Sequence, residues 1–251
     1  MIHIKTEEQI NGIRLSCKLL AKLLNNLEGF ITAGISTKDI DNYCYEYIKK
    51  NNALPALLNY EGFPNTACVS INDELIHGIP RSKHIIQNGD IVSVDLCINK
   101  DGFISDSAKT YLVGNVPEDV KRLVKVTEEC LYKGINAASK NGARLQDIGA
   151  AVSKHAENNG FSVVRDYTGH GVGLRVHEEP SVLNFTSKRF PNPKLVKGMV
   201  LAIEPMINMG SRGVTVLDDG WTVVTVDGKM CAHFEHTVAI TGKGLEILTQ
   251  L

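Results

Sequence analysis

Acidic residues interrupt strand-like apolar runs at two matching places in the chain. The stretches NGDIVSVDL, residues 88–96, and KGMVLAIEP, residues 197–205, each place a carboxylate six positions after a glycine, at Asp95 and Glu204. Burying an ionised carboxylate in a strand is costly unless a cation or hydrogen bonds compensate its charge. The chain must therefore fold so that these acids meet positive charge.

A second acid recurs after each of these strands. Asp106 precedes the stretch SAKTYLVG, and Glu235 precedes HTVAITG. Because core packing alone does not require acids to repeat, we interpret the chain as a duplicated helix-helix-strand unit within one domain, residues 1–251. The pseudo-symmetric halves, about 1–114 and 115–251, are expected to face each other and bring four carboxylates to one centre.

Hydrophobic spacing predicts the secondary structure of both halves. Helices are expected over residues 5–27, 37–51, 117–139 and 145–159, and strands over 67–71, 91–98 and 200–203. The segment TVVTVDGKMCAHF, residues 222–234, has Asp-Gly between two apolar runs and predicts a β-hairpin. These elements together predict an α+β fold.

Composition excludes several classes of partner and environment. The 27 Lys and Arg residues nearly balance 28 Asp and Glu residues, which argues against broad attraction to nucleic acid or to an anionic membrane. The amphipathic N-terminal stretch does not resemble a signal peptide, and no apolar run approaches the length of a membrane span. Six scattered cysteines without CxxC pairs indicate reduced thiols and a cytoplasmic protein.

A glycine-rich stretch between the two acid-bearing strand segments offers a candidate nitrogen ligand. In YTGHGVGLRVHEEP, residues 167–180, glycines surround His170, and His177 follows seven positions later. Four carboxylates and one imidazole form a ligand set suited to divalent Mn, Fe, Co or Zn. One divalent ion cannot neutralise four carboxylates, so we predict two ions that activate a bridging water.

The chain resembles the type I methionine aminopeptidases over almost its whole length. The motifs that carry the resemblance are IKTEEQINGIR, NYEGFPNTACVSINDELIHGIP, GDIVSVDL, GHGVG, HEEP, IEPMIN and FEHTVAIT. The resemblance implies the pita-bread fold that these enzymes share with prolidase, aminopeptidase P and creatinase. In that fold two pseudo-twofold related α-α-β halves form a curved antiparallel sheet covered by helices.

The resemblance also implies an activity and a set of site residues. The expected reaction removes the initiator methionine from nascent proteins whose second residue is small, by attack of two-metal activated water on the first peptide bond. Glu204 would accept a proton from that water, His77 would contact the scissile amide, and His177 would stabilise the carbonyl oxygen. Asp106 and Glu235 would bridge the ions, and the implied ligands are Asp95, Asp106, His170, Glu204 and Glu235.

Further expectations concern the substrate pocket and partners. Tyr60, Phe63, Cys68 and Trp221 match positions that line the methionine pocket in the family, together with His77 and His177 near the scissile bond. Aromatic rings and a sulfur atom suit an unbranched thioether. We expect a monomer, and contact with the ribosome stays open. A monovalent cation at the loop around Asn72 and Cys231, as in some relatives, also stays open.

Four departures from the family pattern affect the surroundings of the site but remove no ligand. Val176 replaces a bulkier residue, and Leu174-Arg175 replaces a more common Arg-then-small pair, which predicts a more open wall near the scissile bond. Ala202 and His233 stand where Thr and Gln are frequent. His233 shares a strand face with Glu235 if the side chains alternate, so it could support the ligands from behind.

Three alternative functions deserve comparison. A cysteine hydrolase could use Cys68 and His77, but no neighbouring group in the sequence would lower the thiol pKa. A non-catalytic binding protein could retain the fold, although here all five ligands and both histidines are present. A proline-directed hydrolase of the same fold is the nearest competitor, but such relatives generally carry an extra N-terminal domain.

Overall fold

Four α-helices form the helical part of the computed structural model, which describes all residues from Met1 to Leu251. They are α1 (Glu7–Phe30), α2 (Thr37–Lys50), α3 (Glu118–Ala138) and α4 (Leu145–Asn158), with a short 3₁₀ turn at Tyr60–Gly62. Each predicted helix is confirmed, with its ends within three residues of those expected.

Side-chain caps explain where the first two helices begin. The Thr6 hydroxyl accepts a hydrogen bond from the backbone N–H of Gln9, and the Gln9 side chain accepts one from Thr6 N–H. Ser36 and Asp39 form the same reciprocal arrangement at the start of α2. These capping boxes satisfy backbone donors that the first helical turn leaves free.

The strands form four antiparallel sheets. In chain order, β1 to β15 are Leu54–Pro55, Cys68–Ile71, Glu74–Ile76, Ile91–Lys100, Phe103–Leu112, Ser162–Val163, Gly169–Gly171, Glu178–Val182, Val200–Ile203, Met206–Asn208, Val214–Val216, Val223–Thr225, Cys231–His233, His236–Thr241 and Gly244–Ile247. A first sheet has the order β1-β4-β2, with β5 also paired to β4, and a second has the order β15-β14-β9-β7-β8. Two three-stranded sheets have the orders β13-β10-β6 and β11-β12-β3.

Strand register decides which acids share a face. Asp95 pairs with Ala108 and Cys97 pairs with Asp106 in the β4–β5 ladder, so the two aspartates are diagonal neighbours on one face. In the second sheet, Ile203 of β9 pairs with His236 of β14. Glu204 and Glu235 are the next residues in that register, which places them opposite each other at the end of the pair.

Hydroxyl groups join the two sheets where β5 approaches residues 233–237. The Ser107 hydroxyl donates to the Glu235 carbonyl at 2.6 Å, and the Thr237 hydroxyl donates to the Asp106 carbonyl at 2.7 Å. The backbone N–H of Glu235 donates to the Ala108 carbonyl at 2.9 Å. These bonds hold the backbones of Asp106 and Glu235 against each other.

Each helix pair covers its own hydrophobic cluster. One cluster lies between α1, α2 and the first sheet and includes Leu20, Leu27 and Val94. A larger cluster lies under α3 and α4 and includes Leu123, Ile148 and Leu201 of the second sheet. Helices that cover antiparallel sheets confirm the α+β class, whereas the division into duplicated halves stays a prediction. None of the helices has the length and apolarity needed to cross a membrane.

The hairpin expected over residues 222–234 is wrong. A turn does form at Asp227-Gly228, but β12 pairs with β11 and β3, whereas β13 pairs with β10. The competing partner is the loop at residues 72–73, because Thr225 N–H donates to the Asp73 carbonyl and Cys231 N–H donates to the Asn72 carbonyl. Tertiary hydrogen bonds therefore separate the two arms of this turn.

Truncation of Leu20 should show the dependence of the first half on its helix–sheet cluster. Leu20 on α1 is fully buried, so Leu20→Ala should lower the free energy of unfolding by about 2–5 kcal/mol. Leu15 on the same helix is 67% exposed, and Leu15→Ala should change it by less than about 0.5 kcal/mol. Urea unfolding followed by circular dichroism measures both, and equal losses would contradict the assignment of the cluster.

Candidate active site

A cavity of about 120 Å³ lies where the acid-bearing ends of the strands meet. All five predicted metal ligands line it, and so do His77, His177 and Cys68. Leu57, Ile76, Cys97, Tyr167, Thr168 and Val176 complete the wall. Residues that are more than a hundred positions apart in sequence therefore surround one small space.

Three side chains at the centre of the cavity lie within metal-binding distance of one another. One ligand atom each from Asp106, His170 and Glu235 lies within 4.8 Å of the others. His170 Nε2 is 3.7 Å from Asp106 Oδ2 and 3.4 Å from Glu204 Oε1. Asp95 projects from β4 on the face of Asp106 and lines the same cavity.

Glycines on both sides of His170 allow its strand to fit between two others. A Cβ atom at Gly169 would collide with the Ala202 carbonyl of β9, and one at Gly171 would collide with the Glu179 carbonyl of β8. Close approach of neighbouring backbone on two sides therefore explains the glycines of the GHG sequence. Pairing of His170 with Ala202 then directs the ring towards the acids.

Burial makes the four carboxyls unusually hard to ionise in the protein alone. Burial raises the pKa of Asp95 to about 6, and it raises the pKa values of Asp106, Glu204 and Glu235 well above the ordinary range. Mutual repulsion adds to the effect for Asp106 and Glu235. No lysine or arginine pairs with any of the four, and only His170 and His233 approach them within ion-pair distance.

The cavity residues fit a bound divalent cation. The buried Glu235 Oε1 has no hydrogen-bond partner in the protein. His170 Nδ1 lies 2.9 Å from the Gly171 carbonyl, which can only accept, so Nδ1 carries the proton and Nε2 offers a lone pair to the cavity. Burial lowers the pKa of His170 to about 3, which keeps the ring neutral. Oxygen ligands with one imidazole suit Mn, Fe, Co or Zn.

Two further histidines stand at the rim of the ligand group. The His177 ring centroid is 4.3 Å from that of His170, and His177 Nδ1 lies 3.1 Å from the Tyr60 hydroxyl. His77 has a positive φ of 57°, a conformation uncommon for non-glycine residues, and its ring meets Tyr167 edge-on at 5.9 Å. Burial lowers the pKa of His77 to about 4 and also lowers that of His177.

Only some of the predicted methionine-pocket residues line the cavity. Cys68 lines it directly, and the Trp221 ring packs edge-on against Phe63 at 5.2 Å and against His77 at 6.2 Å. Tyr60 is tilted against His177 at 5.5 Å. Tyr60, Phe63 and Trp221 thus contact the rim histidines or each other and do not themselves line the central space.

Sequence reasoning missed Tyr167 and the ion pair of Lys5. Tyr167 lies three positions before His170 in the same glycine-rich stretch, which was the available signal. Lys5 Nζ lies 2.6 Å from Glu178 Oε2, and the two side chains are only 1% and 6% exposed. Glu178 Oε1 also accepts the backbone N–H groups of Leu174 and Arg175. This pair ties the N-terminal segment to the loop that carries His177.

Three residues that depart from the family pattern line two different spaces. Val176 is buried and lines the central cavity, whereas Leu174 and Arg175 line an outer cleft of about 810 Å³. His170 and His177 border that outer cleft from the inside. The structure therefore places Val176 nearest the ligands, and the expected openness of the wall stays a prediction.

Replacing Lys5 should destabilise the protein because it leaves a buried carboxylate without its cation. Lys5→Met should lower the free energy of unfolding by about 3 kcal/mol, near the lower end for broken buried pairs, since two N–H donors still bind Glu178. The matched control is Lys197→Met, which breaks a pair with Glu7 whose side chains are 60% and 61% exposed. Urea unfolding should resolve no change in stability for this control. Equal losses of stability in the two variants would contradict the stabilising role of the buried Lys5–Glu178 ion pair.

Divalent ions should stabilise the protein more at neutral than at acidic pH. The folded metal-free chain holds protons on carboxyls whose pKa is raised, so its stability falls as pH rises from about 4 through the raised values. For Asp95 alone, the change to about 6 corresponds to roughly 3 kcal/mol, or about 6–12 °C in Tm. The Tm gain from saturating Mn²⁺, measured by scanning fluorimetry, should therefore be larger at pH 7.5 than at pH 5. An equal gain at both pH values would contradict this expectation.

Comparison with known proteins gives the chain a family. The model of metallopeptidase family M24 matches residues 11–242. The chain is 49% identical to methionine aminopeptidase 1 of Bacillus subtilis over 253 aligned residues, with all of both chains covered. A crystal structure of methionine aminopeptidase from Thermotoga maritima superposes with a TM-score of 0.95 at 43% identity and covers the whole of both chains.

A more distant likeness concerns the fold alone. The prolidase of Pyrococcus furiosus superposes with a TM-score of 0.77 at 23% identity, covering 99% of this chain and 65% of that enzyme. The expected pita-bread fold is confirmed by these superpositions. The match to the family model and the full-length identity agree, and the chain belongs to the methionine aminopeptidases of metallopeptidase family M24.

Proposed function

We propose that the protein is a metal-dependent aminopeptidase that removes N-terminal methionine from polypeptides whose second residue is small. The observation that carries this proposal is the convergence of four acids and one imidazole in a single cavity beside an aromatic rim. Relatives named methionine aminopeptidase, at up to 49% identity over the full chain, support the choice of substrate.

Asp95, Asp106, His170, Glu204 and Glu235 are the residues that would hold two divalent ions. Divalent ions bound there would lower the pKa of water and polarise the scissile carbonyl. Asp106 and Glu235 would be the ligands that hold both ions, because the hydroxyls of Ser107 and Thr237 hold their backbones against each other. His170 offers its Nε2 alone and suits contact with one ion.

The remaining cavity residues would act directly on the substrate. Glu204 would accept the proton of the attacking water, since its carboxylate lies in the cavity among the other ligands that would hold the ions. His177 would donate an N–H to the carbonyl oxygen as negative charge develops there. His77 would contact the scissile amide, and its neutral ring suits hydrogen bonding without added charge.

The rim residues would accept the methionine side chain. Phe63 and Trp221 present an edge-to-face aromatic pair next to His77, while the buried Cys68 supplies a polarisable sulfur. An unbranched thioether gains dispersion and sulfur–aromatic contact in such surroundings. The Tyr60 ring stands against His177 on the other side and would bound the pocket there.

Expected partners and environment complete the proposal. The substrate would be the N-terminal methionine of nascent chains, and the six buried, unpaired cysteines suit a reducing cytoplasm. Monomeric state and ribosome contact stay predictions. The Asn72 carbonyl accepts hydrogen bonds from the backbone N–H and the thiol of Cys231, and a monovalent cation at this loop stays a prediction.

The structure argues against nucleophilic catalysis by Cys68. Burial raises the pKa of its thiol well above the ordinary value, and the charges of Asp95 and Asp106 raise it further. A thiol in that environment stays protonated at neutral pH and is a poor nucleophile. Proline-directed cleavage is supported by the fold likeness to prolidase alone, and that enzyme is 23% identical to this chain.

Peptide cleavage by the metal-loaded protein tests the proposed substrate. Protein loaded with Mn²⁺ or Co²⁺ should release free methionine from Met-Ala-Ser and leave Xaa-Pro peptides intact. Liquid chromatography of the products distinguishes the two activities, and chelation by EDTA provides the metal-free control. Cleavage of Xaa-Pro peptides with Met-Ala-Ser untouched would overturn the assignment.

Substitution of central and rim residues should have separable effects. Asp106→Ala and Glu235→Ala should abolish turnover and release metal, because each removes a bridging carboxylate. His77→Ala and His177→Ala should keep the metal, and His177→Ala should lower kcat by about 10²–10³-fold, as loss of an oxyanion donor does. Kinetics beside metal analysis on each variant decides, and metal loss in either histidine variant would count against these roles.

A further inference from the structure

His233 is the polar side chain whose surroundings the proposed roles leave unexplained. It ends strand β13 and is completely buried. Its backbone is fully paired, since the Thr110 hydroxyl donates to its carbonyl at 2.7 Å and accepts its N–H at 3.2 Å. Both ring nitrogens, however, lack a hydrogen-bond partner. Leaving a buried polar group unpaired is destabilising, so a compensating interaction of the ring is expected.

An oxygen acceptor close to the His233 ring belongs to a proposed metal ligand. His233 Nε2 lies 3.5 Å from Glu204 Oε2, while His170 Nε2 lies 3.4 Å from Glu204 Oε1. Two imidazoles therefore flank one carboxylate, each beside a different oxygen. His170 lines the central cavity and His233 does not, so His233 approaches the carboxylate from behind.

We propose that His233 is a positioning residue whose Nε2–H donates to Glu204 Oε2 and thereby leaves Oε1 as the oxygen presented to the reaction. A closure of about 0.6 Å brings the pair into the range of a charge-assisted hydrogen bond, about 2.7–2.9 Å. Such a bond fixes the carboxylate plane and supports a ligand from outside its first coordination layer. The inference rests on the proposed function through the role of Glu204.

Glu204 needs such a support more than the two aspartates do. Asp95 and Asp106 project from a continuous ten-residue ladder between β4 and β5, which fixes their backbones on both sides. Glu204 instead lies just beyond the end of β9, and its carbonyl accepts one bond from the Asn184 side chain. A side-chain donor behind the carboxylate would restore the orientation that the strand no longer imposes.

Two substitutions separate hydrogen bonding from packing. His233→Gln keeps an N–H donor of similar reach, whereas His233→Met fills the space without one. We expect His233→Met to lower kcat and to weaken Mn²⁺ affinity, measured by titration calorimetry, by about 10–100-fold each, with KM within about twofold. His233→Gln should recover both quantities to within about threefold. His155→Gln on the outer face of α4 is the matched control and should change neither.

A spectroscopic measurement on the unaltered protein keeps the proposal testable even if the methionine variant fails to fold. In ¹⁵N-histidine-labelled protein loaded with Zn²⁺, the His233 signal, assigned by its loss in His233→Gln, should report a neutral ring protonated at Nε2. A ring protonated at Nδ1 alone would overturn the proposal. Equal damage in the glutamine and methionine variants, or unchanged kcat and Mn²⁺ affinity in the methionine variant, would overturn it as well.

These readouts separate failure of this inference from failure of the proposed function. An inactive wild-type protein on Met-Ala-Ser would reject the peptidase assignment, whereas ring protonation and metal affinity are measured without any turnover. A cleaving wild type with His233 protonated at Nδ1 would reject only the positioning role.

Discussion

Four clustered carboxylates, buried at Asp106 and Glu235 and slightly exposed at Asp95 and Glu204, have no lysine or arginine to neutralise them, and this is the constraint on which the structure depends. Burial raises the pKa values of all four, and repulsion between the acids raises three of them further, so the protein alone would hold them ionised at an energetic cost. Cations bound at the centre of the four carboxylates would offset this cost and allow a stable fold around them. The local geometry, including the unpartnered oxygen of Glu235, is consistent with that requirement.

The two main sheets contribute to this centre in different ways. The long β4–β5 ladder fixes two aspartates rigidly on one face, while the second sheet delivers its glutamates at the ends of short strands. Between the two sheets, the hydroxyls of Ser107 and Thr237 take the place of regular strand pairing and hold the backbone of Asp106 beside that of Glu235. Precise placement of side chains thus depends on polar bonds around the acids as much as on the hydrophobic clusters under the helices.

Local patterns predicted much of this arrangement, and tertiary contacts account for the rest. The helices, the strands that carry Asp95 and Glu204, and the gathering of all five candidate ligands follow from periodicity, repeated acids and family resemblance. The sequence predicted the turn at Asp227-Gly228, but the residues on both sides of that turn form hydrogen bonds with the loop at residues 72–73. No local sequence pattern indicates these long-range bonds. The Lys5–Glu178 pair joins residues 173 positions apart, and only the folded chain brings them together.

Anomalous diffraction from crystals grown with Mn²⁺ tests the central claim most directly. Data collected near the Mn absorption edge should show two peaks about 3.5–4 Å apart. Both peaks should lie within bonding distance of the Asp106 and Glu235 carboxylates, with His170 Nε2 next to one of them. A map without peaks in this cavity, or with Mn²⁺ bound only elsewhere, would contradict the account.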